Sequence, residues 1–150
     1  MGGRFAQSLS FSPTAKEAAR LMTMPEPRMT DNPALKGRED RYCLARVDIA
    51  ATLESWRGSL FSFEWLEPDG AVRSLDSLPL HERDKRLEIE DSLRAGLPLP
   101  RPVLGIGLMD NVEIGSARAV FLTLAAQGET AIEVHIPVSC KADFKKFILP

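Results

Sequence analysis

The densest group of residues able to do chemistry is Asp110, Asn111, Glu113, Gly115, Ser116 and Arg118. Their spacing points to a turn, a short strand and then the start of a helix. A helix start leaves backbone N–H groups unpaired and carries partial positive charge, so it receives anions. Gly115 permits a sharp exit into the helix and close approach to a ligand, and Ser116 offers a hydroxyl. Arg118, in the first turn, brings a planar fork suited to phosphate oxygens. Gly115, Ser116, Arg118 and Asn111 are thus the candidate phosphate-binding residues, with Arg118 placed to stabilise charge developing on the phosphate. Asp110 and Glu113 are the candidate catalytic carboxylates, orienting water or holding Mg²⁺, which takes oxygen ligands but few from protein. The stretch is neither a Walker A loop nor a dinucleotide fingerprint.

Other chemically able residues read more plainly. His135 sits in an alternating strand opposite in facing to Val134 and Ile136, so an exposed histidine is expected, and His81 falls in a charged helix. No Ser/His/Asp arrangement is readable. Trp56, Phe61, Phe63 and Trp65 could stack on bases, but as the main aromatic content they are expected in the core.

The elements that must position these residues follow from periodicity and turn chemistry. Tyr42 to Val47 is a predicted strand, and Asp48 can cap a helix carrying Ile49, Leu53, Trp56 and Leu60, ending near Gly58. Phe61, Phe63 and Trp65 alternate with Ser62 and Glu64, the pattern of a half-buried strand. Glu67-Pro68-Asp69-Gly70 then supplies a turn toward a second strand at 71–73. Residues 79–95 read as a helix of mixed charge with a solvated face, stopped by Gly96 and Pro98. Residues 103–108 and 112–114 are predicted strands on either side of Asp110-Asn111. A helix carrying Val120, Phe121, Leu124 and Ala125 inward should end at Gly128, and residues 131–136 form the next strand. Ser139 can cap a final helix with Phe144 and Phe147 inward and Lys145 and Lys146 outward. The mixture is α+β. Residues 1–40, with Pro13, Pro25, Pro27, Pro33 and Gly37, read as a flexible N-terminal arm with one short helix at 15–22, and 41–150 as the globular domain.

Composition narrows the classes of function. The chain has 150 residues, 44% of them hydrophobic, which suits one domain with a buried core and no need for a metal or disulfide staple. A net charge of −2 excludes a protein that coats DNA through general basicity, so any nucleic-acid contact must be local. Cys43 and Cys140 fit no metal spacing, and no secretory signal precedes them, which points to a reducing cytoplasm. Ala6 stands where a myristoylation motif wants Ser or Thr, and no apolar run suits a membrane span.

Val103-Leu104-Gly105-Ile106, Asp110-Asn111, Gly115-Ser116-Ala117-Arg118, Gly128 and Ile132-Glu133-Val134-His135-Ile136-Pro137 together resemble the core of the ParB/sulfiredoxin fold. The resemblance implies a small mixed sheet with packed helices over 41–150. Sulfiredoxins carry a Gly-Cys-His-Arg box; here Ser116 replaces the cysteine and Ala117 the histidine, which removes the thiol that reduces sulfinic acids. ParB proteins carry Gly-Glu-Arg-Arg, of which Gly115 and Arg118 match, and no helix-turn-helix reader follows.

At finer grain, residues 46–53, 56–66 and 103–116 resemble the plasmid fertility-inhibition factors. That family implies a cytoplasmic protein, reaching the inner membrane only through partners, that blocks DNA transfer through a type IV secretion system. It also implies ATP as cofactor, with Mg²⁺, and ATPase and DNase activity on the transferred DNA strand with its relaxase. The alternative is a non-catalytic interaction protein that jams the secretion coupling apparatus, its nucleotide site vestigial or regulatory.

Overall fold

The computed structural model describes residues 26–150, a mixed α+β fold. Strand β1 (Met29–Thr30) precedes β2 (Tyr42–Asp48), helix α1 (Ile49–Trp56) and helix α2 (Leu80–Arg94). Strands β3 (Leu99–Pro100), β4 (Leu104–Ile106) and β5 (Val112–Ile114) lead into helix α3 (Arg118–Ala126) and strand β6 (Ala131–Pro137).

The centre of the sheet is the antiparallel pair β2–β6, in which Leu44 faces His135 and Val47 faces Ile132. Alternation decides the inward face: Ala45 and Val47 from β2, and Ile132, Val134 and Ile136 from β6, are buried, while Leu44 and Arg46 are exposed. The β4–β5 hairpin joins this pair through a parallel bridge between Val103 and His135. On the far side, an antiparallel bridge from Val47 to Ile148 ties in the C-terminal segment. Helix α3 carries Phe121, Leu122 and Leu124 into the core and packs against α2. Asp48 ends β2 and caps α1 as expected, its Oδ2 accepting from the Ala51 N–H at 2.8 Å. At the end of α1, Trp56 is fully buried.

Several expectations change. The alternation at 61–65 is not a strand: Ser62–Glu64 is a 3-10 turn, with Trp65 and Ser62 buried and Phe61, Phe63 and Leu60 exposed. Three-residue spacing from Ser62 to Trp65 suits that turn, and a period of two over five residues could not tell the cases apart. The return from Gly70 is a single bridge, Leu66 to Val72. Helix α2 does not present its charges to solvent alone, since Glu82, Arg86 and Glu90, four residues apart, are buried along one stripe. There Glu82 accepts from Trp65, and Arg86 donates to Glu90 and to the Arg73 carbonyl.

Residues 28–40, expected to belong to a flexible arm, pack on the domain. β1 pairs in parallel with β3, Met29 with Leu99, and Asn32 and Leu35 are buried. Residues 1–25, including the helix expected at 15–22, lie outside the described residues. This N-terminal segment also explains a change at His135. His135 is buried because the chain at Asn32 covers the second face of β6, with the Asn32 N–H donating to His135 Nε2 at 3.2 Å. At the C-terminus, Val138–Phe144 is a 3-10 helix without a Ser139 cap, yet Phe144 and Phe147 point inward and the two lysines outward as expected.

Candidate functional site

The turn into α3 has the predicted place and a different geometry. Its strained residue is Ala117, left-handed at φ 62 and ψ 33, and not Gly115, which lacks a positive φ. A Cβ at Gly115 would lie 3.4 Å from the Val103 carbonyl oxygen, at the edge of ordinary contact. No side chain caps α3. Its first turn opens onto a cleft of about 300 Å³ lined by Glu82, Lys85, Gly115, Ala117, Arg118 and Ala119.

Arg118 is held on three sides. Its Nε donates to the Ile114 carbonyl at 3.0 Å, and its guanidinium carbon lies 5.0 Å from the Phe61 ring centre and 5.9 Å from that of Trp56. Ser116 turns away: its hydroxyl donates to Asn32 Oδ1 at 3.2 Å and does not line the cleft. Of the four expected phosphate-binding residues, the structure therefore gathers Gly115 and Arg118, and adds Lys85.

The other candidates form a separate cluster on the hairpin. Glu113 Oε1 accepts from the Ser59 hydroxyl at 2.7 Å, and Oε2 accepts from Asn111 Nδ2 at 3.0 Å. A Cβ on Gly107 would come within 3.0 Å of this carboxylate, so the glycine is what lets Glu113 fold over the hairpin. Val112 N–H donates to Ser55 Oγ at 2.8 Å, completing the tie between β5 and the end of α1. Asp110, left-handed at φ 61, is exposed at the hairpin tip. Asp110, Asn111 and Glu113 thus do not border the Arg118 cleft, and no three-donor metal group among the described residues includes either carboxylate.

Sequence reasoning missed Glu82, whose burial was hidden by its charged neighbours. Burial alone would raise its pKa, but hydrogen bonds from Trp65 Nε1 and Lys85, with the Lys85 and His81 charges, hold it below the ordinary carboxylate value. Glu82 leaves the cleft with two cationic side chains and one carboxylate, a balance that admits a single anionic group at the helix start. Comparison of the chain with protein-family models, curated proteins and solved structures gave no match. No described helix is long and apolar enough to cross a membrane.

Proposed function

We propose that this chain is a plasmid fertility-inhibition factor, blocking DNA transfer through a type IV secretion system by ATPase and DNase action on the transferred DNA and its relaxase. The extended likeness over residues 46–53, 56–66 and 103–116 motivates the reading, with the ParB/sulfiredoxin-like order of strand, turn, strand, helix and strand. The single observation that carries it is the cleft at the start of α3, where Arg118 and Lys85 flank unpaired backbone N–H groups. Its volume, about 300 Å³, takes phosphate groups of ATP or of a DNA strand and leaves a base outside. Mg²⁺ would arrive with the nucleotide.

The test is conjugation from a donor cell that expresses the chain, beside ATP hydrolysis and cleavage of single- and double-stranded DNA by the purified protein. Transfer should fall, and Arg118→Ala should restore it while abolishing hydrolysis. Unchanged transfer frequency with the wild-type chain would sink the proposal.

One observation favours the non-catalytic reading. Leu60, Phe61 and Phe63 are exposed, as are Leu108 and Met109 on the hairpin that Ser59 and Glu113 fasten beside them. A surface of this kind suits a protein partner. Inhibition of transfer that survives Arg118→Ala but is lost on Leu108→Ser with Met109→Ser would decide for it.

A further inference from the structure

We propose that Glu64, His81 and Glu82 bind a first-row transition dication such as Zn²⁺. His81 Nε2 lies 3.3 Å from Glu64 Oε2 and 3.4 Å from Glu82 Oε2, and the three donor atoms all fall within 4.8 Å of one another. Two donors each ~2.0–2.1 Å from a tetrahedral Zn²⁺ stand about 3.4 Å apart, so the imidazole and carboxylates already hold the spacing of a coordination edge.

The fold explains the convergence. Glu64 ends the 3-10 turn beside Trp65, and His81 and Glu82 stand in the first turn of α2. Glu82 is buried and fixed from behind, since Trp65 Nε1 donates to its Oε1 at 2.7 Å and leaves Oε2 facing the other two donors. Such a buried partner orients a metal-binding carboxylate.

One imidazole nitrogen with two carboxylate oxygens is a donor set for Zn²⁺, Mn²⁺ or Co²⁺, whereas Mg²⁺ and Ca²⁺ take oxygen alone. Three protein donors also leave a position open to water or a ligand. Lys85 Nζ lies 3.1 Å from Glu82 Oε2 and supplies the counter-charge. Its side chain is 58% exposed and free to swing away. A dication replaces that ammonium and releases Lys85 to the cleft it lines with Arg118. Glu82 borders the same cleft, which puts the metal next to the anion site.

The experiment titrates Zn²⁺ alone into the full-length, tag-free chain against a chromophoric chelator, with Co²⁺ absorption as a second readout. One equivalent should bind, His81→Gln and Glu64→Gln should each weaken it at least about tenfold, and the Co²⁺ bands should vanish in both. Lys85→Met should tighten binding, by removing the competing ammonium, and circular dichroism confirms that each variant is folded. Mg²⁺ at the same concentration should not compete. Wild-type binding no stronger than that of a chain carrying His81→Gln and Glu64→Gln together overturns the site, as does one-equivalent binding that survives both substitutions.

Discussion

Arg118 lies over the Phe61 ring, its guanidinium carbon 5.0 Å from the centroid, while its Nε is fixed on the Ile114 carbonyl. An arginine held in this way loses little freedom on meeting an anion, which favours the proposed phosphate site. Arg118→Ala should weaken binding of ATP by at least about tenfold and lower stability by about 0.5–1 kcal/mol through the lost ring contact. Arg118→Lys should recover only part of both, because an ammonium has no fork and no stacking plane. Calorimetric titration and urea unfolding read the two effects. Undiminished ATP affinity in Arg118→Ala would remove the residue from the site.

Glu113 offers a contrast, since both of its oxygens are engaged inside the protein. Glu113→Ala should cost about 1–3 kcal/mol by stranding Ser59 and Asn111 without their acceptor. Gly107→Ala should also destabilise, because its new Cβ would press on the Glu113 carboxylate, which is itself tied to Ser59. Urea midpoints measure both. A Glu113→Ala chain as stable as wild type but unable to cleave DNA would assign the carboxylate to chemistry instead.

The difference between these two residues marks how far the sequence could be read. Local rules placed Asp48 as a cap, the turn at Asp110-Asn111, the strand Val112–Ile114 and the helix behind Arg118, because each depends on residues close in the chain. What local rules missed depends on distant cover. His135 is buried by Asn32, 103 residues away in sequence, and Glu82 by Trp65, 17 residues away. Alternation reports which side of a strand faces the core and is silent about a second layer on the other side. The aromatic run at 61–65 misled because its apolar residues were counted as buried, whereas Phe61 serves as the platform under Arg118. For the site, Gly115 and Arg118 were legible from the turn and helix start. Lys85 and Glu82 reach the cleft only through packing of α2 on α3.

Ala117 holds a left-handed conformation at φ 62 at the mouth of that cleft. The conformation costs a residue with a Cβ about 1–2 kcal/mol and glycine almost nothing. Part of the gain from Ala117→Gly returns to the freer unfolded chain, and the small methyl contact with the core is lost. A net stabilisation of about 0.5 kcal/mol should remain, whereas Ala117→Val should destabilise because branching at Cβ worsens the clash. The midpoint of chemical unfolding decides, and a lower midpoint for the glycine variant would count against strain at this turn.

His135 should make the fold sensitive to mild acid. Its Nε2 accepts the Asn32 N–H at 3.2 Å, which requires the nitrogen to be unprotonated. Asp31 Oδ1 lies 3.9 Å away, Arg101 bridges Asp31 and Glu133 alongside, and Lys36, Glu39, Tyr42 and Cys43 line the adjoining cavity. Burial lowers the pKa of His135 and Arg101 adds to that, outweighing the opposing pull of Asp31 and Glu133. A folded-state pKa below the unfolded value means that the unfolded chain binds more protons in that window. The stabilising contribution is therefore complete above about pH 6.5 and declines as pH falls toward the lowered value. Thermal unfolding between pH 7.5 and 5, with proteolysis reporting release of the segment at 28–40, should show this slope in wild type and in His81→Gln. The slope should flatten in His135→Gln, and an equal slope there would show that other groups carry the acid response.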